Sequence, residues 1–164
     1  AWRVRARAPH IDGIEKEPFC VKYFLGDERA QQEVERFCAS HGLNAVDILA
    51  PDAEIGPLEF VWLIDHASMV FTDSFHAAVF SLLFHTPCKV LERRQKGQCD
   101  MASRFRTLAA IVGLEDMGCA DCRSLEEYAY RFKWAEIDVR LDEHRRSSLG
   151  WLRNTMGFLA RASA

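Results

Sequence analysis

The clearest strand-to-helix transition in the sequence lies in residues 68–84, which read SMVFTDSFHAAVFSLLF. Residues 68–72 form an apolar run of strand length, and Asp73 with Ser74 is a typical cap for the start of a helix. The helix pattern that follows is apolar nearly all round, which predicts a helix buried near the centre of the fold. A buried strand that leads into a buried helix is the repeating unit of parallel α/β sheets.

Strand and helix patterns also alternate on both sides of this unit. The predicted strands are 19–25, 44–49, 68–72 and 88–91. The predicted helices are 28–41, one with Pro57 at its first position, 103–112, one that begins at Ser124, and a closing amphipathic helix over 138–162. The helix with Pro57 has a predicted buried stripe of Phe60, Leu63, Ile64 and Ala67, and the helix over 103–112 is capped by Ser103 and ended by Gly113. The closing helix is marked by Leu141, Leu149, Leu152, Met156 and Leu159. This order predicts an α/β domain with a parallel sheet, right-handed crossovers and helices on both faces. Ligands of such sheets bind outside the carboxyl ends of the strands.

Length and charge limit the classes of protein to consider. The chain has 164 residues, which predicts a single domain over 1–164 with an extension over 1–18. Its net charge of −3 argues against a dedicated nucleic-acid-binding domain. The longest apolar run, residues 77–84, is far shorter than the ~20 residues of a membrane span. The basic first residues have no apolar core behind them, so we expect no signal peptide.

The six cysteines indicate a reducing, cytoplasmic location and no metal. Cys20, Cys38 and Cys88 lie in apolar segments, where a free thiol behaves as a small hydrophobic group. Cys119 and Cys122 have CxxC spacing, and Cys99 could join them. Structural zinc needs four ligands, and the sequence has neither a second CxxC nor a paired histidine motif. We therefore expect no metal site.

Three loops at the predicted carboxyl ends of strands carry residues suited to ligand binding: 26–27, 72–76 and 92–97. In the second, His76 falls in the first turn of a buried helix, where backbone N–H groups and the helix dipole favour an anion. A simpler interpretation stays open, in which Asp73 and Ser74 only cap the helix and His76 binds a local carbonyl group.

The third loop adds positive charge to this edge of the sheet. Between Lys89 and Arg106 there are six basic and two acidic residues, a local charge of +4. Such a cluster beside a helix N-terminus suits a phosphorylated or carboxylated small ligand, although a solvated charge run is the alternative. The sequence contains no Walker loop and no GxGxxG motif, so the fingerprints of ATP and dinucleotide binding are absent.

The sequence resembles the polysaccharide pyruvyl transferase family. The segments that carry the resemblance are 56–60, 63–64, 67–76, 80–81 and 86–87, with weaker matches at 23–27, 101–104, 107–108, 112–114 and in the closing helix at 145–148 and Leu152. Among them, the Thr72-Asp-Ser-Phe-His76 block is the most specific. The resemblance covers residues 19 to about 159, and it corresponds to the carboxyl-terminal, Rossmann-like half of a fold similar to two-domain glycosyltransferases of the B type.

This resemblance implies transfer of pyruvate from phosphoenolpyruvate to two hydroxyls of a sugar in a cell-surface polysaccharide, as in exopolysaccharide biosynthesis, with formation of a ketal. It implies that His76 is the catalytic acid and that donor and acceptor are the small-molecule partners, with no cofactor. The substrate-binding residues it implies are Gly26, Asp73, Ser74, Arg93, Arg94 and Arg104. The acceptor would need a second wall from an amino-terminal domain, so we expect no turnover by residues 1–164 alone.

Three positions depart from the family pattern. Ser74 stands where other branches have an arginine that holds the donor, Ala77 where glycine is usual, and Met117 where many relatives have arginine. Because Ser74 carries no charge, Arg93, Arg94 or Arg104 would have to supply the positive charge that holds the donor.

Two other functions fit a chain of this class. One is a glycosyltransferase-type domain that binds a nucleotide-sugar, for which Glu92 is the nearby acidic candidate for the ribose hydroxyls. The other is a non-catalytic binding module of the same fold. Ligand-dependent melting separates them, because phosphoenolpyruvate, a nucleoside diphosphate or neither would raise the unfolding midpoint.

Overall fold

The computed structural model describes residues 5–26, 28–51, 53–91, 102–115, 117, 129 and 131–162. The four strands are β1 (Phe19–Tyr23), β2 (Asn44–Asp47), β3 (Met69–Thr72) and β4 (Cys88–Val90). The helices are α1 (Glu28–His41), α2 (Pro57–His66), α3 (Phe75–Phe84), α4 (Ala102–Val112) and α5 (Trp134–Ala162). The predicted alternation of strands and helices is therefore confirmed for these elements, while β1 and β2 each end two residues earlier than predicted. The start of the helix predicted at Ser124 lies outside the described residues.

The strands form one parallel sheet in the order β2-β1-β3-β4. The chain moves from β1 to β2 in one direction and then crosses over to β3 on the other side of β1. This reversal makes the gap between β1 and β3 the topological switch point, where α/β sheets leave a crevice for ligands. The register pairs Tyr23 with Thr72, so the two strands end level at this point.

Side-chain contacts show that helices cover both faces of the sheet. On one face, Phe37 of α1 contacts Phe71 of β3 with ring centroids 5.1 Å apart. On the other face, Trp62 of α2 stacks on Phe19 of β1 with centroids 6.1 Å apart. Because successive strand side chains alternate between faces, the odd-numbered residues of β1 face α2 and the even-numbered ones face α1. The sheet is thus the central layer of an α/β Rossmann-like fold.

Most helices begin and end at the capping, proline and glycine residues that the sequence predicts. The N-cap of α2 is Gly56, whose N–H is bound by Oε2 of Glu59 at 3.1 Å, and Pro57 occupies the first helical position. Gly42 ends α1 and Gly113 ends α4, both with positive φ, a conformation that glycine adopts without strain. The prediction that Ser103 caps α4 was wrong, because the helix begins at Ala102 and includes Ser103.

Two predicted apolar stripes needed correction. In α2, Leu63, Ile64 and Ala67 are buried as predicted, but Val61 is buried while Phe60 is only half-buried. The closing helix begins at Trp134, four residues before the predicted start. Its apolar stripe packs on the core only through its first two turns, and beyond them three of its members are exposed: Leu149, Leu152 and Met156.

Among the described residues, every helix is too short or too polar to cross a bilayer.

Candidate functional site

The site is built where β1 and β3 end side by side at the switch point. Thr72, the last residue of β3, is fully buried, and its hydroxyl donates to the Tyr23 carbonyl at 2.7 Å. The same Oγ1 accepts the backbone N–H of Ser74 at 2.9 Å. One side chain therefore joins the end of β1 to the turn that leads from β3 into α3.

Asp73 makes a second link between the two strand ends. Its Oδ1 accepts the backbone N–H of Leu25 at 2.9 Å, and the residue is only 4% exposed. This carboxylate oxygen therefore binds the loop that follows β1, while the N-cap position of α3 is occupied by Ser74. Because Leu25 is followed directly by Gly26, this bond brings the loop after β1 against the turn after β3.

Ser74 occupies the N-cap position of α3, but its hydroxyl makes no capping hydrogen bond. The buried hydroxyl thus does not bind the N–H groups of the first helical turn, and the positive end of the helix dipole lies beside it. His76 is exposed in that first turn, and its ring lies edge-on to Phe75 with centroids 6.4 Å apart. The imidazole is therefore accessible to a ligand at the carboxyl edge of the sheet.

A groove of about 220 Å³ continues the site from the start of α3 onto α4. Its lining residues are Phe75, Ser103, Arg104, Thr107, Leu108 and Ile111. Phe75 holds the two helices together through Phe105, with ring centroids 6.0 Å apart. Arg104 supplies a positive charge in this lining, and the hydroxyls of Ser103 and Thr107 supply polar groups.

The structure thus assembles most of the described residues that the sequence singled out. Gly26, Asp73, Ser74 and His76 lie around the switch point, and Arg104 joins them through the groove that starts at Phe75. The predicted Arg93 and Arg94, together with Glu92, lie outside the described residues.

Three contributors to the site had no individual role predicted from the sequence: Thr72, whose hydroxyl joins the two strand ends, and the groove residues Phe75 and Thr107. For Thr107 a signal existed, because it follows Arg104 by three positions and Ser103 by four, which places all three on one face of a helix. Met117 is buried, and its carbonyl accepts the N–H of Val90 at 2.7 Å. It therefore packs beside β4 as an apolar residue at the position where many relatives have arginine.

The thiol groups that the structure describes are buried and form no disulfide. They are Cys20, Cys38 and Cys88. Burial raises the pKa of Cys88 to about 12, so it stays protonated. In the described part of the chain, no three His, Cys, Asp or Glu residues cluster as a metal site would require. Cys99, Cys119 and Cys122, on which the question of zinc depended, lie outside the described residues.

Comparison with known proteins addresses the family directly. A search of the curated proteins found no match. A family model with the description polysaccharide pyruvyl transferase matches residues 6–93, more than half of the chain. The match contains all four strands, the switch point and the Thr72-to-His76 turn. The chain therefore belongs to the polysaccharide pyruvyl transferase family.

Proposed function

We propose that this domain binds phosphoenolpyruvate and supplies the catalytic acid for transfer of its pyruvyl group to a sugar of a cell-surface polysaccharide. The observation that carries the proposal is the position of the family's Thr72-to-His76 block. It lies at the switch point with an exposed imidazole in the first turn of α3. Phosphoenolpyruvate carries a phosphate and a carboxylate, and this edge of the sheet offers a helix N-terminus and Arg104 to receive them.

The donor lies between the start of α3 and the groove on α4. Arg104 pairs with one anionic group, and the first turn of α3 receives the other. Ser74 leaves no cation at its own position, so Arg93 and Arg94 are the candidates for further countercharge. Phe75 provides an apolar wall for the methylene end of the donor. Asp73 keeps the loop at Gly26 against this site through its bond to Leu25.

The chemistry requires one acid and two hydroxyls. His76 delivers a proton to the methylene carbon, which becomes a methyl group while positive charge develops on the adjacent carbon. One sugar hydroxyl adds to that carbon and its proton returns to the imidazole. A second hydroxyl then forms the other C–O bond, the C–O bond to phosphate breaks, and inorganic phosphate leaves with the remaining proton. The product is a cyclic ketal on the sugar.

The acceptor sugar needs a second wall, which we assign to an amino-terminal half. Residues 1–164 alone are therefore expected to bind the donor and to give no ketal product. We place the reaction in the cytoplasm, where free thiols such as Cys20, Cys38 and Cys88 persist.

Donor binding is tested on this chain by thermal unfolding with and without phosphoenolpyruvate. We expect the donor to raise the midpoint of the wild-type protein and of Arg106→Ala, which removes a charge from α4 at a position outside the groove. Arg104→Ala should lose most of that rise. A rise with a nucleoside diphosphate and none with phosphoenolpyruvate would favour a glycosyltransferase-type domain instead.

Catalysis is tested in a protein that joins this chain to its amino-terminal half. His76→Ala should lower kcat by about 10²–10⁴-fold if His76 is the acid, with a smaller change in KM. Unchanged kcat with a raised KM would remove His76 from the acid role and make it a binding residue.

A further inference from the structure

A second groove lies at the amino end of β1, opposite to the carboxyl end where His76 lies, and the proposed reaction does not use it. Its volume is about 460 Å³, which lies within the ~300–1,000 Å³ range of small-molecule sites. Its wall is formed by residues 14–19, which lead into β1, and by Trp62 and His66 at the end of α2. Since Phe19 begins β1 and Tyr23 ends it, the strand separates this groove from the His76 edge by about 13 Å.

Three aromatic rings form a stack at one side of the groove. The ring of Trp62 is within 7° of parallel to Phe19 and within 11° of parallel to His66. The His66 and Trp62 centroids are only 4.2 Å apart, and Nδ1 of His66 lies 2.9 Å from the Trp62 carbonyl oxygen. Because a carbonyl oxygen only accepts, Nδ1 carries the proton and Nε2 of the neutral ring is an acceptor. Phe19 is buried while His66 is exposed, so the stack runs outward from the core.

The opposite rim is polar and of mixed charge. Glu15, Lys16 and Glu17 are exposed and line the groove. Glu17 is held in place, because its Oε2 accepts from Nδ2 of Asn44 at 2.7 Å. Together with Nε2 of His66, this rim offers hydrogen-bond acceptors and one strong donor beside the aromatic stack.

We propose that this groove binds one unit of a neutral sugar chain, with a ring face against His66, the exposed outer ring of the stack, and hydroxyls bound by Glu15 and Lys16. A sugar ring has C–H groups on its faces and hydroxyls at its edge that both donate and accept, which matches this combination of walls. An anionic ligand would meet two carboxylates, and a cationic one would meet Lys16. The site is a second, non-catalytic contact for a glycan. To call that glycan the acceptor polysaccharide rests on the proposed function, whereas sugar binding itself does not.

NMR titration of the indole N–H signals tests the proposal on this chain. The sequence has four tryptophans, and Trp62→Phe identifies the signal of Trp62. The probes are the methyl glycosides of glucose, galactose and mannose. We expect the Trp62 signal to shift in a saturable manner with at least one of them. Glu15→Ala and His66→Ala change exposed side chains, and each should weaken that binding by about tenfold.

His41→Ala is the matched control. His41 stacks on Phe37 with centroids 4.2 Å apart and bonds its carbonyl through Nδ1 at 2.8 Å, but it lies at the end of α1 and does not line the groove. Its removal should leave sugar binding unchanged. The proposal is overturned if none of the three glycosides shifts Trp62, or if the affinity survives in both Glu15→Ala and His66→Ala. A shift produced by tetramethylammonium and by none of the sugars would identify a cation site instead.

Phosphoenolpyruvate added to the same sample separates the two proposals. We expect it to cause no shift of the Trp62 signal, because its proposed site is at the carboxyl ends of the strands. If the protein binds a sugar but not phosphoenolpyruvate, the result counts against the proposed function alone. If it binds phosphoenolpyruvate but no sugar, the result counts against the sugar site alone.

Discussion

The carboxylate of Asp73 accepts the backbone N–H of Leu25 across the switch point at 2.9 Å. These residues are 48 positions apart, yet the bond joins the loops that follow two neighbouring strands. Asp73 is buried while Leu25 is exposed, so the bond ties a loop at the surface to the core of the domain. The proposed donor site therefore has a backbone that its own buried side chains hold in place before any ligand arrives.

Asp73→Ala should lower the free energy of unfolding by about 1–3 kcal/mol, because it leaves the Leu25 N–H without its acceptor. Asp73→Asn retains an oxygen at that position and should lose less. Urea unfolding measures both, with Asp12→Ala, an exposed aspartate, as the control. Equal stability of Asp73→Ala and the control would show that the bond contributes nothing to the fold.

Thr72→Val should be destabilising by about 2 kcal/mol although it preserves shape and volume. The substitution removes the hydroxyl that serves both the Tyr23 carbonyl and the Ser74 N–H, and it does so at a fully buried position. Thr72→Ser keeps the hydroxyl and should retain more of the phosphoenolpyruvate-induced rise in the unfolding midpoint. If Thr72→Val binds the donor as the wild-type protein does, the two hydrogen bonds of the Thr72 hydroxyl are not needed to shape the site.

Acid should weaken the attachment of the amino-terminal segment to α2. The hydrogen bond from Arg7 and backbone hydrogen bonds at Glu59 hold the pKa of that carboxyl below its ordinary value of 4.5. The folded state therefore binds fewer protons here than the unfolded state, so the stabilisation is complete above pH 4.5 and is lost as the pH falls through the lowered pKa.

Arg7→Ala should remove part of this dependence. The measurement is the unfolding midpoint as a function of pH, in which the difference between wild type and Arg7→Ala should shrink at acid pH. Arg5→Ala changes a neighbouring exposed arginine and serves as the control. A difference that is constant across the acid range would show that Glu59 is not the titrating group.

Cys20, Cys38 and Cys88 should resist alkylation in the native protein. All three are buried, so access of the reagent is unfavourable. Thiolate formation is also unfavourable at Cys88, where burial raises the pKa to about 12, and at Cys20, whose pKa is raised by its hydrogen bond with Cys38 and by burial. The same hydrogen bond lowers the pKa of Cys38, so only burial protects that thiol. Iodoacetamide labelling followed by peptide mass spectrometry should mark these three cysteines only after unfolding. Rapid native labelling of Cys88 at mildly alkaline pH would contradict both its burial and its raised pKa.

The order of strands and helices could be predicted from the sequence because it depends on local pattern. Residues 28–41 and the Gly56-Pro57 start of α2 show this well: helical spacing, a stop at Gly42 and proline at the first helical position are properties of neighbouring residues. The same holds for the Thr72-to-His76 block, whose five consecutive residues carried the family resemblance that the family match supports.

Long-range contacts explain where local pattern misled. Asp73 and Ser74 have the composition of a helix cap, but Oδ1 of Asp73 accepts the N–H of Leu25, which lies in the loop after another strand. The stripe in α5 reads as one continuous buried face, but the described body of the domain covers only its beginning. Burial depends on what lies opposite a face, which periodicity does not reveal.

The fold class, the family and the segment that carries the candidate acid follow from the sequence, because each depends on residues that lie close together in the chain. The contacts between distant residues became known only from the folded chain: Tyr23 with Thr72, Leu25 with Asp73, and Phe75 with the helix that carries Arg104. Those meetings follow from strand order and register, and a parallel sheet sets both through crossovers that join residues tens of positions apart.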